Sequence, residues 1–183
     1  MFRRFLPIWR FPTITPRRNS QIILGLDPGL ASTGYGFIGI ERGRAGYLEH
    51  GVIQTSPRWT FGQRLSFLFD EICRLIKVYQ PQGAGLESLY FAKKLTSAIP
   101  VAQAKGVLLL ALEQNQVPVE EFSPPQLKQG LTGSGRAEKE QVWEMVRMIL
   151  GLAELPGPDH ATDALAAAIC FYHRRQADEK GMN

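Results

Sequence analysis

Residues 22–29 read IILGLDPG, an apolar run that ends in an aspartate followed by a Pro-Gly turn. Such a short apolar run, rich in β-branched residues, is typical of a buried strand, and Pro28–Gly29 mark where that strand ends. Asp27 is then the last residue of the strand. Its carboxylate is expected at the carboxyl edge of a sheet, where ligands bind preferentially.

The pattern of the remaining chain predicts an α/β fold built on this strand. Two more strands, 34–40 and 47–53, follow after short gaps and are expected to form a three-stranded antiparallel meander with it. Further strands are predicted at 83–87 and 117–122, and helices at 60–79, 92–115, 124–129, 137–150 and 160–176. The sequence therefore predicts a mixed five-stranded sheet, the meander plus parallel strands, with helices on both faces.

Length and charge indicate one domain with a basic extension. The chain has 183 residues, enough for one domain with a full core. Residues 1–20 contain five arginines, three prolines and no acid, and are expected to form a disordered N-terminal extension. Removing those five charges from the net charge of +4 leaves −1, so composition alone does not indicate DNA binding. The domain is predicted at 21–177, with a flexible tail at 178–183.

Composition also excludes some classes of protein. The longest apolar run, residues 106–112, is far shorter than the roughly 20 residues that cross a bilayer. Cys73 and Cys170 lie in apolar helical patterns without CxxC spacing, which is typical of buried thiols in a reducing compartment. We therefore expect a cytoplasmic protein without disulfides or membrane spans.

Four polar residues lie where a divalent metal site would be built. Glu87 ends the next parallel strand as Asp27 ends the first, so the two carboxylates are expected to converge. His160 and Asp163 are three residues apart at a predicted helix start and share one face of that helix. Each residue alone has an ordinary interpretation, as a turn aspartate, a solvated glutamate or a helix-start histidine. Together they favour two Mg²⁺ ions, which in phosphodiester cleavage activate water and stabilise the leaving oxygen.

Several motifs in order resemble RuvC-type Holliday-junction resolvases over residues 21–174. They are ILGLDPG at 23–29, TGYG at 33–36, LESLYFAK at 86–93, QAKGV at 103–107, QLKQ at 126–129, GSGRAEK at 133–139 and HATDALA at 160–166. A series of motifs spread over most of a domain is more specific than any one of them. Pro100 departs from the usual family pattern.

The resemblance implies an RNase H-like fold and Mg²⁺-dependent symmetric nicking of four-way DNA junctions by a homodimer, with Mn²⁺ as a substitute metal and a branch-migration helicase as partner. It implies that Asp27, Glu87, His160 and Asp163 are both metal ligands and catalytic residues. Family members carry Asp or His at the position of His160, and this chain follows the His variant. Asp159 is interpreted as the N-cap of the helix.

The resemblance also implies a set of DNA-binding residues. Lysines at the positions of Lys128 and Lys139 lie near the scissile phosphate in the family, and Tyr90 matches an aromatic position at the junction centre. Arg136 belongs to the GSGRAEK motif and is expected to contact DNA. For Tyr90, a core aromatic is an equally good interpretation of the sequence.

Three other functions are compatible with parts of the sequence. Another RNase H-like nuclease could act on RNA or an RNA/DNA hybrid, but Asp70 and Glu71 on the first long helix lack a matching motif. An actin-like or sugar-kinase-like ATPase would share an Asp-x-Gly loop but needs a second domain, for which the chain is too short. A junction-binding scaffold would not need all of the strand-end acids.

Overall fold

The computed structural model describes residues 21–88, 95–154 and 159–181. Its strands are β1 (Gln21–Asp27), β2 (Ser32–Glu41), β3 (Arg44–Gln54), β4 (Gly83–Glu87) and β5 (Val119–Phe122). Its helices are α1 (Phe61–Tyr79), α2 (Leu95–Gln114), α3 (Pro124–Thr132), α4 (Lys139–Ile149) and α5 (Asp159–Glu179).

The five strands form one sheet in the order β3-β2-β1-β4-β5. β1 pairs antiparallel with β2, which pairs antiparallel with β3, and β1 pairs parallel with β4, which pairs parallel with β5. This is the predicted meander extended by parallel strands, and the predicted fold class is confirmed.

Element boundaries differ from the predicted ones at two places with clear physical reasons. The hairpin strands β2 and β3 are longer than expected because a two-residue turn joins them, with Arg42 and Gly43 both at positive φ. β5 begins at Val119 rather than Val117, since the Val117 amide donates to the Leu112 carbonyl at 3.0 Å and so closes the end of α2. Pro118 has no amide hydrogen to add to the sheet.

Two apolar layers cover the sheet. On one face, Ile23, Ile38 and Phe122 pack against α3, α4 and α5. On the other face, Leu24, Leu26, Phe37 and Leu86 pack against α1 and α2. Neighbouring residues of β1 enter opposite layers because side chains alternate along a strand. Helices therefore lie on both faces of the sheet, as predicted.

Some sequence predictions fall on the borders of the described chain. The basic extension at 1–20 lies outside the described residues, so it stays a prediction. The limits 21–177 of the domain and the tail at 178–183 also stay predictions, and α5 runs to Glu179. No helix among the described residues is long and apolar enough to cross a membrane.

Candidate active site

Asp27 and Glu87 lie side by side at the carboxyl edge of the sheet. The parallel register pairs Gly25 with Gly85 and Leu26 with Leu86. Asp27 and Glu87 are the next residues of these two strands, so they lie beside each other. Because side chains alternate along each strand, Asp27 faces the same side as Gly25, the side covered by α5. Two strand ends thus present their carboxylates to the start of one helix.

Glycines in the sheet allow α5 to approach closely. A Cβ atom at Gly25 would lie 1.7 Å from the Ala164 carbonyl oxygen, and one at Gly85 would lie 2.1 Å from that of Ala167. At Gly34, which pairs with Asp27, a Cβ atom would lie 2.0 Å from the His160 carbonyl oxygen. No larger side chain fits at these positions without moving the helix. This contact sets the distance between the first turn of α5 and the strand-end acids.

The four residues that the sequence predicted as metal ligands are found together. Ligand oxygens of Asp27, Glu87 and Asp163 lie within 4.8 Å of one another. His160 Nδ1 lies 2.5 Å from Asp27 Oδ2, so the imidazole also reaches this cluster. Asp159 is the first residue of α5. The prediction had placed it one residue before the helix, as the N-cap.

Burial and mutual repulsion determine the charge state of this cluster. The pKa of Glu87 is raised to about 8, chiefly by burial and then by the negative charges of Asp27 and Asp163 and a hydrogen bond with Asp27. Lys139 acts in the opposite direction and lowers the pKa. Without a cation, the carboxylates therefore retain a proton at neutral pH. A divalent ion would remove the repulsion and displace that proton.

The donor set fits a hard divalent cation. Carboxylate oxygens are the ligands that Mg²⁺ and Mn²⁺ prefer, and one imidazole is acceptable to Mn²⁺. The three carboxylates come from β1, β4 and α5, so folding brings together residues that are far apart in the chain. Converging anions at partly buried positions are costly unless a cation accompanies them. Asp27, Glu87 and Asp163 are thus suited to bind divalent metal, and His160 lies beside them as a hydrogen-bond partner of Asp27.

Two lysines border the acidic cluster. A cavity of about 200 Å³ lies beside Glu87 and Asp163, and both Lys128 and Lys139 line it. Lys139 Nζ is 3.7 Å from Asp163 Oδ2. Lys139 is the first residue of α4, so it lies at a helix N-terminus as the sequence indicated.

Two predicted DNA-binding residues are not part of this cluster as described. Arg136 is exposed in the turn before α4, where its amide donates to Ser134 Oγ at 3.3 Å. Tyr90 lies outside the described residues. The close-approach glycines were not identified from sequence, although their spacing in GLDPG, TGYG and GAGLE was a readable signal of close backbone packing.

An RNase H-like mixed sheet with a carboxylate cluster at the ends of its central strands defines the class of this protein as a metal-dependent nuclease. The family model for crossover junction endodeoxyribonuclease RuvC matches residues 23–171. The chain belongs to this family.

Individual relatives agree with that assignment. The crossover junction endodeoxyribonuclease RuvC of Treponema denticola is 52% identical over 147 residues, covering 80% of this chain and 83% of the relative. The Thermus thermophilus RuvC structure aligns with a TM-score of 0.78 and 34% identity, over 86% of this chain and 97% of that one. T. thermophilus RuvC in complex with a Holliday junction substrate aligns with a TM-score of 0.76 and 32% identity, over 85% and 96% of the two chains. The family assignment does not favour the hybrid-cutting nuclease, the ATPase or the scaffold.

Proposed function

We propose that this protein resolves four-way DNA junctions by nicking two opposed strands with the help of divalent metal. The observation that carries the proposal is the meeting of Asp27, Glu87 and Asp163 within 4.8 Å, in a chain that belongs to the RuvC family. The biological roles that follow are homologous recombination and DNA repair. Since the bacterial relatives are enzymes of DNA, we propose the cytoplasm as its location.

Each of the four metal-binding candidates has a distinct role in the proposal. Asp27 is at the centre, between Glu87 on the neighbouring strand and His160 on α5, and is the choice for a carboxylate shared by two ions. Glu87 completes one site, and Asp163 with His160 completes the other. Two Mg²⁺ ions, with Mn²⁺ as a substitute, would activate the attacking water and stabilise the leaving 3′ oxygen.

The lysines act on the phosphate rather than on the metal. Lys139 and Lys128 line the cavity next to Glu87 and Asp163, where a scissile phosphate would approach the acids. An ammonium group there offsets negative charge that develops on the phosphate in the transition state. We propose Arg136 and Tyr90 as further DNA contacts outside the catalytic cluster.

A homodimer would explain paired cuts in a two-fold symmetric junction. Support comes from α2, whose Ala104, Leu108 and Ala111 are buried while Ile99 is 55% and Leu110 50% exposed. Exposed apolar side chains on a helix whose other face is buried are typical of an interface. Leu110→Glu should convert a dimer to a monomer in analytical ultracentrifugation, and a wild type that sediments as a monomer would contradict this part. A branch-migration helicase is the proposed partner of the dimer.

Cleavage of a labelled four-way junction tests the function. Wild-type protein should nick two opposed strands in Mg²⁺ and none in EDTA. Asp27→Asn should abolish nicking while junction binding, which depends on many contacts, stays within a few-fold of wild type. Preferred cutting of an RNA/DNA hybrid, or tight binding without Mg²⁺-dependent nicking, would contradict the proposal.

A further inference from the structure

The loop that follows Asp27 is fixed by bonds from outside its own segment. Residues 28–31 connect β1 to β2 and begin directly after the central carboxylate. From β2, Thr33 Oγ1 donates to the Gly29 carbonyl oxygen at 2.5 Å. From the residue that follows β3, the Thr55 amide donates to the Ala31 carbonyl oxygen at 3.0 Å. The loop after Asp27 is thus held at the carbonyls of Gly29 and Ala31 by residues outside it.

The hydroxyl of Thr55 makes the central bond of this arrangement. Thr55 is 8% exposed, and its Oγ1 donates to the Leu30 carbonyl oxygen at 2.6 Å. A hydroxyl has one hydrogen to give, so its direction is set by that bond. The Leu30 carbonyl is thereby satisfied inside the fold, although the two residues are 25 positions apart in sequence.

Arg64 fixes the direction of the Thr55 hydroxyl. Its Nε donates to Thr55 Oγ1 at 2.7 Å, which occupies a lone pair of the oxygen and leaves the hydrogen for Leu30. Arg64 lies in the first turn of α1, where Thr60 and Gln63 form a capping box that fixes the start of the helix. A rigid helix end is thus connected through two side-chain hydrogen bonds to the loop beside Asp27.

The geometry points to Arg64 as a positioning residue for the metal site, acting through Thr55 and the loop 28–31 on the carboxylate of Asp27. This inference deepens the proposed function and depends on it. Metal ligands must be held within about 0.5 Å of their productive geometry by the groups that support them. The Asp27 side chain is hydrogen-bonded to His160, and the Arg64–Thr55–Leu30 path restrains the loop into which the Asp27 backbone continues.

Metal binding without DNA is the first readout. Arg64→Met removes the bond to Thr55, and Thr55→Val removes both bonds of the path, each at nearly constant side-chain volume. Each should weaken Mn²⁺ binding about tenfold, the scale typical of groups that support metal ligands, in titrations followed by electron paramagnetic resonance. Both changes break the same path. The double variant should therefore bind Mn²⁺ as tightly as whichever single variant has the lower Mn²⁺ affinity.

Two matched variants separate positioning from general loss of stability. Thr55→Ser keeps the hydroxyl and should retain wild-type Mn²⁺ affinity. Arg74→Met removes another arginine of α1, which pairs with Glu71 on the surface, and should also leave Mn²⁺ affinity unchanged. Thermal unfolding of every variant in EDTA shows that the compared proteins are folded at the assay temperature.

Nicking at saturating junction is the second readout. The Mg²⁺ concentration for half-maximal nicking should rise about tenfold in Arg64→Met and Thr55→Val, as Mn²⁺ affinity falls. Unchanged Mn²⁺ affinity in folded Arg64→Met would overturn the inference, as would a loss of junction affinity without a loss of metal affinity. If wild type bound Mn²⁺ but did not nick junctions, the proposed function would fail, while the Mn²⁺ titrations would still decide the role of Arg64.

Discussion

Glu87→Gln should stabilise the metal-free protein while it abolishes metal-dependent nicking. Glutamine has nearly the shape of glutamate and can donate a hydrogen bond to Asp27 as the protonated acid does, but it never carries a charge. In the wild type, burial and the charges of Asp27 and Asp163 raise the pKa of Glu87 from 4.5 to about 8. As the pH rises, the folded protein therefore has to ionise a carboxyl group whose charged form is destabilised by its surroundings.

The sign and size of the effect follow from this pKa. A raised folded-state pKa contributes stability that is fully present below pH 4.5 and is lost as the pH rises towards about 8. Each pKa unit corresponds to about 1.4 kcal/mol, so the whole shift has an upper limit of about 4–5 kcal/mol. Glu87 is only partly buried and borders a cavity, and solvent screening reduces the expected gain at pH 8 to about 2 kcal/mol.

Thermal unfolding in EDTA at several pH values measures this gain. The melting temperature of Glu87→Gln should equal that of wild type near pH 4.5 and exceed it by about 4–8 °C at pH 8, as expected for about 2 kcal/mol in a chain of this size. Added Mg²⁺ should stabilise wild type and not the variant. Parallel pH profiles of the two proteins, or a variant that is less stable at pH 8, would refute the reasoning about the cluster.

Substitutions at three further positions test other parts of the site. His160→Ala should weaken Mn²⁺ binding about tenfold, and His160→Asp should retain nicking; an inactive His160→Asp protein would contradict the role of this position. Lys139→Met should lower the single-turnover nicking rate about a hundredfold without weakening Mn²⁺ binding, and a parallel fall in metal affinity would assign Lys139 to the metal site instead. Gly85→Ala should destabilise the fold by about 2–3 kcal/mol in urea titrations because its Cβ would meet the backbone of α5. Gly62→Ala is the control, since nothing lies within 4 Å of its Cβ, and equal effects of the two changes would argue against the close-approach account.

Local patterns in the sequence were sufficient to predict the sheet and two of its acids. Asp27 and Glu87 each end an apolar run before a break, and parallel strands bring their carboxyl ends to one edge. Periodicity also located the five helices found among the described residues, with errors of a few residues at their ends. These features depend on neighbours in sequence, which is the information that a single chain provides directly.

Contacts between distant segments could not be predicted in the same way. The 2.5 Å contact between His160 and Asp27 depends on how closely α5 approaches β1, and that distance is set by glycines on the sheet and alanines on the helix. The bonds from Arg64 to Thr55 and from Thr55 to Leu30 depend on the path of the chain between β3 and α1. Neither contact leaves a periodic pattern. The motif resemblance assigned His160 and Asp27 to one site, but the hydrogen bond between them, like those of Arg64 and Thr55, is seen only in the folded structure.

The most direct test of the metal site is anomalous diffraction from crystals of the protein soaked in Mn²⁺. We expect anomalous peaks at roughly 2.0–2.3 Å from carboxylate oxygens of Asp27, Glu87 and Asp163, with the Asp27 carboxylate shared if two ions are bound. Crystals that bind Mn²⁺ elsewhere and show no peak among these three carboxylates would contradict it.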